Sequence, residues 1–166
     1  MSTAKSVDVY SLVSYLSDEL AQETDEADSL WLALVDVLGE SLVTDATALI
    51  DLHLVTILES PGSSQNMVQV RSVSEQNREY TLFPHVNYCQ CSIYSSDVST
   101  QRRQLMCKHV LAALMLISRY ERNANAVADC VQLCSDQQLR SLVANLVNQQ
   151  HTLTEQPIDH FDPSLL

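Results

Sequence analysis

The chain of 166 residues contains only two glycines, Gly39 and Gly62. Phosphate-cradling loops and dinucleotide fingerprints need several glycines at fixed spacing, so both are excluded. No apolar run approaches the roughly 20 residues of a membrane-spanning helix, and Met1 to Tyr10 lacks the charged-then-apolar order of a secretory signal. Positive charge is scarce: nine Lys and Arg stand against 21 Asp and Glu, a net charge of −12. Cysteine is present in an odd number, five, which argues against a disulfide framework. What remains is the expectation of a soluble intracellular protein with no membrane partner. Its 46% hydrophobic residues suffice for one buried core.

The charge is unevenly placed. Residues 1–60 hold twelve acids and one base, Lys5; residues 61–122 hold four acids and seven bases; residues 123–166 hold five acids and one base. Acidic ends oppose nucleic-acid binding by the whole chain, because phosphate contacts require concentrated Lys and Arg. The middle third leaves a local contact open.

Hydrophobic periodicity predicts a helix over roughly 6–22, with Val9, Leu12, Val13, Leu16 and Leu20 on one face. An acidic stretch follows. Asp28 or Ser29 could then cap a second helix that ends near Gly39. Residues 42–52 are ambiguous, with a helical option from Ala46 to Leu52. His53 to Leu58 reads as a short strand closed by Pro61-Gly62. Met67 to Val73 and Glu79 to Phe83 read as two strands joined by a turn at Ser74 to Asn77. The serine-rich interval from Cys91 to Gln104 reads as a loop. A strongly apolar helix starts near Cys107, and a last helix begins at Ser135, where Ser135 and Gln138 form a capping-box pair. Residues from about 150, with Pro157 and Pro163, read as a flexible tail.

Three cysteines and a histidine cluster as Cys89-Gln-Cys91 and Cys107-Lys-His109, fifteen residues apart. Three thiolates and an imidazole make a natural tetrahedral set for zinc. Each pair supplies two ligands from one short backbone segment, and closing the intervening loop costs entropy that grows only slowly with length. Cys107 at a helix N-terminus would have its thiolate favoured by the helix dipole. With all four positions taken by protein, the role is structural, for one Zn2+, and not catalytic.

At Tyr88-Cys-Gln-Cys91 and Cys107-Lys-His-Val-Leu-Ala-Ala-Leu114 the sequence resembles a SWIM zinc finger. The short chain and its flanking helices are similar to the family of the SWIM-domain subunit of the Shu complex, over roughly residues 46–147. The resemblance implies a nuclear protein of homologous-recombination DNA repair. Such a protein would pair with a RecA-like recombinase paralogue and promote assembly or stability of recombinase filaments on single-stranded DNA. It also implies a packing role for Ala112, three residues after His109, whose small side chain would let the helix approach the hairpin. The expected fold is α+β: a small zinc-stabilised ββα SWIM finger flanked by N- and C-terminal helices. Its divisions are a helical region 1–45, the finger region 46–122 with its core at 66–118, a helical region 123–149 and a tail 150–166.

Other signals point less far. Cys130 and Cys134 would share a face if one helix carried both, but no second ligand pair accompanies them. His85 reads as a turn residue, and His53, His151 and His160 have no partner cluster. Cys107 and His109 lack an orienting carboxylate for nucleophilic catalysis, so no enzyme is expected. Arg102 and Arg103, in the long loop between the ligand pairs, are candidate DNA contacts. Tyr80, Phe83, Tyr88 and Tyr94 could supply stacking surface. The near-uniformly apolar helix after His109 should exceed what a single finger can bury, leaving a remainder for the flanking helices and a partner. The alternative function is a stand-alone nucleic-acid-binding SWIM finger.

Overall fold

The computed structural model describes residues 9–21, 27–63, 66–73 and 76–154. Three antiparallel strands form a meander: β1 (Val55–Glu59), β2 (Met67–Ser72) and β3 (Arg78–Leu82). A fourth, β4 (Val131–Leu133), returns parallel to β1 and gives the order β3-β2-β1-β4. Helices α1 (Val9–Leu20), α2 (Ala27–Leu38) and α3 (Glu40–Asp51) precede the sheet. Helix α4 (Lys108–Arg122) lies between β3 and β4 in the chain, and α5 (Asp136–Thr154) ends the described residues. The α+β expectation holds.

The strand register explains the layers. Ile57, Val68 and Leu82 form one cross-strand row, and Val55, Val70 and Tyr80 a second. All six are buried in the main core with Val13, Leu16 and Leu34 of α1 and α2, Val43 of α3 and most of α4. The pleat sends the neighbouring pair Leu58 and Met67 to the other face. There they are buried with Leu139 and Leu146 of α5. The sheet is therefore covered on both sides, by α1–α4 on one and α5 on the other.

Several sequence expectations change. Helix α1 begins at Val9; residues 1–8 and most of the acidic stretch after it, 22–26, lie outside the described residues. Asp28 and Ser29 fall inside the first turn of α2, which starts at Ala27. The ambiguous segment is helical from Glu40, entered through Gly39 at φ 88°, a backbone conformation that glycine adopts without a Cβ penalty. The turn before β3 places Gln76 and Asn77 in the left-handed region. Ser135 and Gln138 do form the capping box: Gln138 N–H donates to Ser135 Oγ at 3.2 Å, and Ser135 N–H donates to Gln138 Oε1 at 2.9 Å. Helix α5 runs on to Thr154, past residue 149, and the rest of the expected tail, 155–166, lies outside the described residues. The interval after Cys91 is not a plain loop, since Tyr94–Thr100 forms a π-helical turn. Cys130 and Cys134 do not share a helix. Cys130 ends a 3-10 helix (Ala124–Cys130), β4 intervenes, and Cys134 packs against the α5 side of the sheet.

Helix α4 corrects the expectation of an apolar remainder. Every residue from His109 to Ser118 is buried within the chain itself. A helix apolar on all sides must be surrounded, and here α1, α3, the sheet and the 3-10 helix surround it. Helix α5, expected to share this task, packs on the opposite face of the sheet.

Candidate metal centre

Cys89 and Cys91 lie on the knuckle that follows β3, while Cys107 is the N-cap of α4 and His109 sits in its first turn. One hydrogen bond ties these segments together and a second braces the knuckle itself. Asn87 Nδ2–H donates to the Leu105 carbonyl at 2.9 Å, and the Tyr94 hydroxyl donates to the Asn87 carbonyl. They fix the distance between the first ligand pair and the approach to the second. Sequence reasoning singled out the four candidate ligands but not these braces, because a lone Asn and Tyr carry no spacing signal.

The four side chains are buried, and their ligand atoms all lie within 4.8 Å of one another. Cys89 Sγ is 3.8 Å from His109 Nδ1. A tetrahedral ion at about 2.3 Å from sulfur and about 2.0 Å from nitrogen sets ligand atoms about 3.5 Å apart, so this spacing fits with small adjustment. The Tyr94 amide N–H donates to Cys91 Sγ at 3.3 Å, a contact that favours thiolate. Hydrogen bonds from Cys107 and Cys89 hold the Cys91 thiol well below its usual range. The Cys89 thiol is pushed far above that range by its hydrogen bonds with Cys107 and Cys91, with burial adding to them. Cys107 is pushed up to about 12: its bond with Cys89 lowers it, but that with Cys91 and burial outweigh this. A divalent cation at the centre would let all three thiols ionise together.

His109 supplies a second sign of fit. Its Nδ1 faces the thiols, and its Nε2 is buried with no hydrogen-bond partner among the described residues. Coordination by Nδ1 would use the lone pair that faces the thiols and leave the proton on Nε2. Tyr80 of β3 lies against the ring, centroids 4.9 Å apart, and so fixes its orientation. These four residues could hold a metal ion.

Ala112, at 0% exposure, lies one turn beyond His109 in the main core. Arg102 and Arg103 are exposed where the chain leaves the π-helical turn, with Arg102 at φ 52°. The Arg103 amide donates to the Asp97 carbonyl at 2.7 Å, which folds this segment back on itself. Neither guanidinium forms an ion pair among the described residues, whereas Arg71 pairs with Glu79 and Lys108 with Asp45. Of the aromatics considered for base stacking, Tyr80 is buried in the core and Tyr88 packs edge-on against Tyr94. His85 is indeed in a turn, at φ 59°, and is 2.9 Å from Glu121. No described helix is long and apolar enough to cross a membrane.

Comparison with known proteins places these features in a lineage. The chain is 35% identical over 132 residues to zinc finger SWIM domain-containing protein 7 of Mus musculus, covering 77% of this chain and 79% of that protein. The protein of the same name from Danio rerio is 35% identical over 118 residues, 70% of this chain and 76% of the relative. That from Homo sapiens is 28% identical over 137 residues, 80% and 89% respectively. No family model and no solved structure matches the chain.

Proposed function

The chain belongs to the family of zinc finger SWIM domain-containing protein 7, and on that premise we propose that it is a non-enzymatic adaptor in homologous recombination. In this reading one structural zinc ion is held by Cys89, Cys91, Cys107 and His109. The protein works in the nucleus with a RecA-like recombinase paralogue, as in the Shu complex whose SWIM subunit the sequence resembles, and supports recombinase filaments on single-stranded DNA.

The observation that carries the non-catalytic part is the saturated, buried ligand set. Four protein ligands, none more than 2% exposed, leave no position where substrate or water could be activated. Zinc would supply cross-linking only. The residues do the rest: Asn87 and Tyr94 brace the knuckle, Tyr80 orients the imidazole, and α4 carries the second pair into the core. The partner surface lies away from α4. Helices α1 and α2 expose Leu12, Tyr15 and Leu32, and no Lys or Arg occurs between Lys5 and Arg71. Apolar side chains on an acidic background suit a partner with basic residues around an apolar centre.

Affinity purification of tagged protein from cells, beside the Cys107→Ser variant, tests the proposal. A recombinase paralogue recovered with wild type and lost with the variant is the expected result. Recovery of no recombination protein with either would refute the adaptor reading. Arg102 and Arg103, exposed and without an ion pair among the described residues, favour a second reading, a stand-alone nucleic-acid-binding finger. That reading requires affinity of the isolated protein for DNA to fall steeply with salt.

A further inference from the structure

His53 and Cys130 are 77 residues apart in sequence, yet the parallel pairing of β1 with β4 brings them together. Parallel strands begin at the same end of a sheet, and the register sets Ile57 opposite Val131. His53 precedes β1 by two residues, and Cys130 directly precedes β4. His53 Nδ1 lies 3.2 Å from Asp129 Oδ2 and 3.9 Å from Cys130 Sγ, and the three ligand atoms are within 4.8 Å of one another.

The arrangement is not that of a nucleophilic triad. In a triad the carboxylate and the nucleophile engage opposite ring nitrogens, so that a proton can pass across the imidazole. Here Asp129 and Cys130 both face Nδ1. Convergence of three donors on one point is the geometry of a metal site. A thiolate, an imidazole and a carboxylate suit a borderline divalent cation such as zinc. The two distances bracket the roughly 3.3–3.6 Å that tetrahedral coordination at the usual bond lengths requires.

We propose that His53, Asp129 and Cys130 form a second site for a zinc-like divalent cation, separate from the finger. His53 and Asp129 are exposed while Cys130 is buried, so the site opens to solvent on one side. Three protein ligands leave the fourth position to water or to an exogenous donor, and the ion exchanges where that of the finger does not. Binding replaces the Cys130 S–H bond by a sulfur–metal bond and releases the proton to solvent. Because that proton is released, loading weakens as pH falls. Bound metal would pin the start of β4 to that of β1, across the edge of the sheet.

Equilibrium dialysis of the full chain against micromolar Zn2+ under reducing conditions, with metal counted per chain, tests this. Wild type and Cys134→Ser should hold two ions. His53→Asn, Asp129→Asn and Cys130→Ser should hold one. The ion that His53→Asn and Asp129→Asn retain should be the finger's, with its sulfur-rich shell seen by zinc-edge X-ray absorption, which separates this site from the finger. Asparagine at 53 suits the left-handed backbone there, φ 53°, and both 53 and 129 are exposed. Those two variants therefore decide the matter even if Cys130→Ser does not fold. Saturation of wild type at one ion, or two ions retained in both His53→Asn and Asp129→Asn, would overturn the proposal.

Discussion

Ala112→Leu is a stringent perturbation of the packing that carries the finger. Ala112 is fully buried, in an unbroken buried run from His109 to Ser118. Leucine adds three heavy atoms beyond Cβ where the interior is already at close-packed density. Insertions of this kind cost about 1–3 kcal/mol through forced rotamers and backbone shifts. For a chain of this size each kcal/mol moves the melting temperature by about 2–4 °C, so the expected drop is about 2–12 °C. The helix propensities of Ala and Leu differ little, so the loss would report packing. Thermal and urea unfolding followed by circular dichroism, with Ala144→Leu on the exposed side of α5 as control, gives the comparison. Metal content measured on the same samples separates overpacking from loss of a ligand. A melting temperature unchanged or raised in Ala112→Leu would refute the claim that α4 is packed to its limit at this point.

The remaining predictions concern other parts of the molecule. Cys107→Ser should lose the finger metal and melt about 20 °C or more lower, because binding energies of about 10–16 kcal/mol in structural zinc sites become folding energy; retained occupancy and melting behaviour would remove Cys107 from the ligand set. Arg102→Ala with Arg103→Ala should leave unfolding within about 0.5 kcal/mol of wild type, as both side chains are exposed. Unchanged DNA affinity in that double variant would exclude this segment as a phosphate contact. Gly62→Ala should destabilise the chain, because a Cβ there meets the Asp136 carboxylate, which accepts a hydrogen bond from the buried Ser60 hydroxyl at the start of α5. Asp136→Ala, losing that bond and the favourable charge at the helix N-terminus, should cost about 1–2 kcal/mol in urea unfolding.

What could be read in advance followed from short-range signals. The ligand pairs announced themselves by spacing, α4 by its apolar run, and the start of α5 by Ser135 and Gln138, because each signal lies within a few residues. Strand β4 is three residues long and exists only through pairing with β1, a contact across more than seventy positions, so no local pattern marks it. For the same reason His53 looked partnerless, although the sheet sets it beside Asp129 and Cys130. The π-helical turn after the knuckle was hidden by polar, serine-rich composition that suits a loop equally well. The apolar excess of α4 was read correctly as needing cover. Where the cover came from depended on which face of the sheet each flanking helix took. The pleat at Leu58 and Met67 determined that, and α5 went to the opposite side.

The most direct test of the closed finger is zinc-edge X-ray absorption on His53→Asn protein, in which only the finger should be loaded. One zinc per chain is expected, with three sulfurs at about 2.3 Å and one nitrogen at about 2.0 Å. A shell dominated by oxygen, or one with fewer than two sulfurs, would contradict the assignment of Cys89, Cys91, Cys107 and His109 as a closed structural site.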